Sequence, residues 1–151
     1  MSLDGVGPRF EYLRWPASWN QVTDNLLELK QSVPSNVMFL IEETVSIFNL
    51  FYMAELDDWA KQNFSTNREG DVVHKTNHLA NEFFDIRQML TQEYVDAMKD
   101  SPYYGLIDKN WHEQPEKIRS MIAKIRKFDA FRNQDWRKTF PEVAEFYRRY
   151  L

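Results

Sequence analysis

The sequence contains no cysteine in its 151 residues, and this absence excludes several kinds of chemistry. Without cysteine there are no disulfides, no thiolate zinc sites, no cysteine nucleophiles and no iron–sulfur cluster held by the chain's own thiolates. Apolar runs long enough to cross a bilayer are missing, as is a recognisable signal peptide, so we expect a cytoplasmic protein without a membrane partner. The net charge of −4 argues against a general nucleic-acid binder, because phosphate contacts need a basic surface.

Apolar residues are plentiful: 43% of the chain is hydrophobic and 15% is aromatic, which argues against disorder and suffices for a core. Apolar residues at helical spacing predict several amphipathic helices. The first begins with a capping box in which Ser18 caps the helix and Gln21 reaches back. Proline suits the first turn of a helix and threonine suits the cap before it. The predicted helices cover residues 18–32, 53–62, 91–99 and 115–131, with a last one beginning at Pro141.

A β-branched, apolar run at residues 37–47 predicts a strand that is covered on both faces. Ser2 and Leu3 resemble the end of another buried strand, and the helix between the two predicts a βαβ unit with parallel strands. Further strands are predicted at residues 72–79 and 83–89, separated from the second helix by a surface loop at 63–71. Residues 101–114 are expected to be irregular.

The first fourteen residues form the most distinctive segment. A strand end is followed by the turn Asp4-Gly5-Val6-Gly7-Pro8, and Arg14 follows shortly after. Because ligands of α/β proteins bind where parallel strands end, this segment is a candidate small-molecule site. An ordinary strand-to-helix turn is the alternative.

Polar residues also interrupt the strand at 37–47. Successive strand residues face opposite ways, so one carboxylate of Glu42-Glu43 points inward, unless this end of the strand is exposed. Thr44, Ser46 and Asn49 then lead out of the strand, where they suit either a ligand edge or a capped strand end.

His74 and His78 stand four residues apart, the spacing of two metal ligands on one helix face. The glutamate of the H-E-x-x-H pattern is missing, and the neighbouring residues favour a strand or loop. A zinc site is therefore the weaker interpretation of this pair.

Four segments in order resemble the radical S-adenosylmethionine proteins, especially the group with a twitch C-terminal extension. The family's fourth-strand region is similar to the run S-L-D-G-V-G-P-R-F-E-Y-L-R-W-P-A-S-W-N-Q-V-T-D-N-L. Its fifth strand and the following helix are similar to T-V-S-I-F-N-L-F-Y-M-A-E-L-D-D-W. F-F-D-I-R-Q-M-L-T-Q-E-Y resembles the sixth strand and its helix, and F-D-A-F-R-N-Q-D-W-R-K-T-F-P-E-V the C-terminal tail. The family's C-x-x-x-C-x-x-C cluster loop and the Gly-Gly-Glu stretch are absent.

The resemblance implies an α/β fold: strands four to six of a partial (β/α) barrel at residues 1–100, then a helical extension at 101–151. The chain would be the C-terminal half of a parent enzyme, inactive alone because the parent's [4Fe–4S] cluster and its ligands are elsewhere. An auxiliary cluster of the twitch type would also lack ligands here. The exposed edges of half a barrel would favour self-association.

The resemblance also implies roles for individual residues in binding S-adenosylmethionine beside an unknown substrate. Ser2 would bond the ribose or the methionyl part, and Arg14 would meet the carboxylate. Asp4 would lie near the substrate. Thr44, Ser46 and Asn49 would line the edge of the fifth strand.

Two other functions stay open. The chain could be a non-catalytic protein-interaction module that uses Tyr103, Tyr104, Trp111 and the basic helix at 115–131, although a solvated face also explains those charges. A histidine-dependent metal hydrolase rests on His74 and His78 alone. A cysteine motif encoded upstream would favour the radical enzyme, and a true start codon would favour the interaction module.

Overall fold

The structure, a computed structural model, describes residues 1–34, 37, 39–64, 72–78 and 84–151. It is mostly helical, at 61%. None of the helices in these ranges is both long enough and apolar enough to cross a bilayer. The helices are α1 (Pro8–Leu13), α2 (Trp19–Ser32), α3 (Met53–Phe64), α4 (Ile86–Met89), α5 (Gln92–Met98), α6 (Pro115–Arg132), α7 (Trp136–Thr139) and α8 (Pro141–Phe146), and the strands are β1 (Phe39–Val45) and β2 (Val72–His78).

The predicted partial barrel is wrong. Within the described ranges the sheet consists of β1 and β2, which run parallel, and a single parallel bridge joins Ser2 to Glu42. The segment expected to supply a further strand is described from Phe84 onward, and it turns into α4 instead. Asp85 causes this change, because its side chain accepts a hydrogen bond from the backbone N–H of Arg87 and so begins a helix.

The longer helices match the sequence predictions. α2 and α6 lie within about a residue of their predicted ranges, and α3 continues two residues further. The Thr91 hydroxyl caps α5 by accepting from the N–H of Tyr94, as expected. The prediction that the Ser18 side chain caps α2 is wrong, because this side chain makes no hydrogen bond to the start of the helix. The N–H of Trp19 donates instead to Oε1 of Glu11 at 2.9 Å.

Besides α4, two other short helices were not predicted. α1 occupies the stretch between the opening turn and Arg14, and α7 lies in the segment expected to be a connector. The strand predicted at 72–79 is present as β2, whereas most of the loop predicted at 63–71 lies outside the described residues. Local caps account for α7, since Asp135 accepts a hydrogen bond from the N–H of Arg137.

The chain divides into two compact units, of which the first comprises Met1–Thr44 and Tyr52–Asn77. Its core is a cluster of buried residues from the N-terminal segment, β1 and α3. No residue of α2 is fully buried; the helix covers the cluster with partly buried side chains, among them Trp19, whose ring lies 5.0 Å from that of Trp59. The buried members are Leu3, Phe10, Ile41, Leu56 and Ala60.

The second unit comprises Val45–Phe51 and His78–Leu151. Its core is aromatic, with Phe48 and Phe140 in ring contact at 5.0 Å, and both residues are buried. The inner face of α6 is aliphatic, formed by Ile118, Met121, Ile122 and Ile125. The predicted boundary after residue 100 stays a prediction.

Candidate functional site

The structure brings together four of the six residues predicted to form a site. Nε of Arg14 lies 2.5 Å from Oδ2 of Asp4, and an Nη of Arg14 donates to the Ser2 hydroxyl at 2.5 Å. Oδ1 of Asp4 accepts from the backbone N–H of Thr44 at 2.8 Å. We call Ser2, Asp4, Arg14 and Thr44 the arginine cluster.

Parallel pairing places this cluster at the carboxyl end of β1. The N–H of Leu3 donates to the carbonyl of Glu42 at 3.1 Å, and the N–H of Glu42 donates to that of Met1 at 2.8 Å. Asp4 and Thr44 follow directly on the two paired segments. Ligands of parallel sheets bind at this edge, because the chain diverges there and leaves backbone groups accessible.

The turn that returns Arg14 to the strand depends on glycine and proline. Gly7 has φ +56°, a left-handed conformation that favours glycine, and Pro8 begins α1. Phe10 and Tyr12 on α1 are buried, and they hold the short helix against the core. The N–H of Arg14 then closes the helix by donating to the carbonyl of Phe10 at 2.8 Å.

One member of the Glu42-Glu43 pair points inward, as the alternation predicted, and the structure shows that this member is Glu43. It is fully buried at 0% exposure and shares the inner face of β1 with Ile41 and Val45. Burial, and then the negative charges of Asp4 and Asp57, raise its pKa to about 8. A carboxyl group next to the arginine cluster is therefore protonated at neutral pH.

Ser46 and Asn49 are placed differently, in the second unit. Oδ1 of Asn49 accepts from both the N–H and the hydroxyl of Ser46, at 2.7 and 3.0 Å. Both residues are buried, and the Ser46 hydroxyl also accepts from the N–H of Phe48 at 3.3 Å. The pair forms a turn after β1, which corresponds to the capped strand end considered as an alternative.

An arginine that the sequence interpretation did not single out also interacts in the first unit. The Arg9 guanidinium lies 3.8 Å from the ring centroid of Tyr52 and 2.7 Å from a carboxylate oxygen of Glu55. These residues are more than forty positions apart, so no local pattern could have predicted the contact. Arg9 and Arg14 thus leave opposite ends of α1, each with its own acidic partner.

The chemical groups present suit an amino-acid-like ligand better than a metal cluster. The five N–H donors of an arginine include a fork that matches a carboxylate, and a serine hydroxyl can donate or accept. An iron–sulfur cluster has no thiolate to bind in this sequence. In the part of the chain that the structure describes, no three His, Asp or Glu side chains are grouped to hold a metal ion, and His74 and His78 lie on a strand rather than a helix.

Comparisons with known proteins identify no relative. No protein-family model, no curated protein and no solved structure matches this chain.

Proposed function

We propose that this chain is the C-terminal part of a radical S-adenosylmethionine enzyme and supplies residues that hold S-adenosylmethionine, in the cytoplasm. The observation that carries the proposal is the arginine cluster, where the Arg14 guanidinium contacts Ser2 and Asp4 at the carboxyl end of β1. The order of the family-like segments along the chain supports the same assignment. The chain is inactive alone, because the cluster that reduces the sulfonium needs thiolates from elsewhere.

In this proposal Arg14 binds the carboxylate of the methionyl group, and the Ser2 hydroxyl bonds the methionyl part or the ribose. Asp4 has a positioning role, because its two oxygens join the guanidinium of Arg14 to the backbone of Thr44. Such a support restricts the rotamers of a long side chain before the ligand arrives, which lowers the entropic cost of binding.

The test is a titration of S-adenosylmethionine into the 151-residue chain, followed by amide NMR shifts and calorimetry. We expect shifts at Ser2, Asp4 and Arg14, and an affinity about tenfold or more weaker in Arg14→Ala, the usual loss for a charge-assisted bond. Arg137→Ala is the matched control, since Arg137 also pairs with an aspartate, Asp135, but in the other unit. Equal affinities of the two variants, or no shifts with the wild-type chain, contradict the proposal.

A protein-interaction module is the second candidate. Tyr104 favours it, since this large aromatic residue is 41% exposed. Tyr103 and Trp111 are partly buried and so present less of their surface. A module of this kind has no need of Arg14, so the same titration separates the two functions.

A further inference from the structure

Positive charge is concentrated on α6. The helix carries six of the nineteen Lys and Arg residues and two of the twenty-three Asp and Glu residues. Both acids of the helix have contacts of their own. Asp129 is buried and accepts from the N–H of Trp136 at 3.0 Å, and Glu116 pairs with Arg119 in the first turn.

Two phenylalanines lie among these cations. Phe131 is 77% exposed and Phe128 is 38% exposed, and the Arg132 guanidinium lies 5.5 Å from the Phe128 ring centroid. Spacings of three and four residues make these side chains neighbours of Lys124 and Lys127 on the helix surface. We call Lys124, Lys127, Phe128, Phe131 and Arg132 the Lys–Phe patch.

The patch is presented on a rigid support. The opposite face of α6 is fully buried at Ile118, Ile122 and Ile125, so the helix cannot rotate to cover its outer side chains. An exposed aromatic ring between cations suits a partner that has both aromatic surface and regularly spaced negative charge. A nucleic acid whose bases are unstacked has both.

We infer that the Lys–Phe patch binds single-stranded nucleic acid, with Lys124 and Lys127 at phosphates and Phe131 stacked on a base. A duplex offers phosphates but no open base face for the ring. Protein interfaces are depleted in lysine, which is a common phosphate ligand. A membrane-surface helix needs a broad apolar face, and the apolar face of α6 is already buried in the protein.

The whole-chain charge of −4 does not oppose this inference, although it argues against strong general binding. Association with a polyanion depends on the charge near the contact, because salt screens charges more than about 10 Å away at 0.1 M. The inference requires a weak, salt-sensitive interaction at one face.

The experiment measures fluorescence anisotropy of a labelled short oligothymidylate with the full chain over a series of low salt concentrations. Phe131→Ala should weaken binding about fivefold or more, the usual loss of one stacked base, and leave the salt dependence unchanged. Lys127→Glu should weaken binding and make the slope of log affinity against log salt shallower by about 0.7 or more. Both residues are exposed, so neither variant should unfold, and amide NMR spectra check this.

Matched controls are available in the same unit. Tyr104→Ala removes another exposed ring, and Lys109→Glu makes the same change of charge at another exposed lysine. The inference is overturned if Phe131→Ala behaves like Tyr104→Ala, or if a duplex of equal length binds as tightly as the single strand. Absence of binding at low salt, or a preference for phosphatidylserine vesicles over the oligonucleotide, overturns it as well.

Discussion

The hydroxyl group of Tyr94 donates a hydrogen bond of 2.8 Å to the carbonyl of Ile47, forty-seven residues away in the sequence. The same oxygen accepts from the N–H of Phe51 at 3.1 Å. Tyr94 is fully buried on α5. One side chain therefore provides hydrogen-bond partners for two backbone groups between β1 and α3. Both groups precede the first residue of α3, so the hydrogen bonds of that helix do not satisfy them.

Replacement of Tyr94 by Phe should lower the free energy of unfolding by about 1–3 kcal/mol. The ring would still fill its space, but a buried carbonyl and a backbone N–H would lose their partner. Urea denaturation followed by tryptophan fluorescence measures the change. Tyr104→Phe, at an exposed tyrosine, should stay close to wild type, and equal stability of the two variants would show that the buried bonds contribute nothing.

Glu43 should make the protein less stable as the pH rises from about 4.5 to about 8. Its pKa is about 8 in the folded chain and 4.5 ordinarily, so in this range the folded state keeps a proton that the unfolded state releases. Stability therefore falls with pH in the window and levels off above it, by a total on the order of 3–5 kcal/mol. Glu43→Gln, which cannot ionise, should remove this loss.

The measurement is urea denaturation of wild type and Glu43→Gln at several pH values between 5 and 8. The difference between the two proteins isolates Glu43 from the histidines, which titrate in both. Glu42→Gln is the control, because Glu42 is on the opposite face of β1 and is partly exposed. Parallel curves for wild type and Glu43→Gln would refute the prediction.

Asp85 and Asp135 occupy equivalent positions before α4 and α7. Replacing each of them by alanine should lower the free energy of unfolding by a different amount. Each accepts from the N–H of the arginine two residues on and binds that arginine's guanidinium through both oxygens. The Asp85 side chain is 2% exposed and that of Asp135 is 25% exposed. We expect Asp85→Ala to destabilise by about 2 kcal/mol and Asp135→Ala by about 1 kcal/mol.

Thermal or urea unfolding at neutral pH ranks the two variants. The pH dependence supplies a second check: burial alone raises the pKa of Asp85, but the hydrogen bonds and charge of Arg87 outweigh it and lower the pKa below its usual value of 3.8. The stabilisation is therefore present above pH 3.8 and is lost as the pH falls through the lower, folded value. A difference from wild type that persists unchanged in strong acid would contradict this cause.

The segment around Asp85 also shows where sequence interpretation failed. Alternating apolar residues predicted a strand, but a side-chain cap on a four-residue helix has no periodicity to detect. Phe84 was predicted to lie in this strand, but it lies in a turn. Its ring centroid is 5.5 Å from that of Phe48. The cap at Asp85 outweighs the β-propensity of the segment. Residues 86–89, which were predicted to be part of a strand of the barrel, form α4 instead.

Much else was determined by the sequence alone. The lack of cysteine excludes a cluster on this chain's thiolates, whatever its fold. The helices α2, α3, α5 and α6 follow from apolar spacing and from starts such as Thr91 and Pro115, because a helix forms its hydrogen bonds between residues four apart. Strand alternation requires Glu42 and Glu43 to face opposite ways, although it does not say which of them is buried.

Only the tertiary structure decided how many strands pair and which polar residues meet. Strand pairing joins distant segments, so the contact of Ser2 with Glu42 has no signature in either stretch. The same pairing places Asp4 within hydrogen-bond distance of the backbone N–H of Thr44. Ser46 and Asn49 instead bond to each other in the turn after β1. Thr44, Ser46 and Asn49 are close together in the sequence at the end of β1, but they do not form one site. The direction of the chain after the strand places Thr44 in the first unit and the other two in the second.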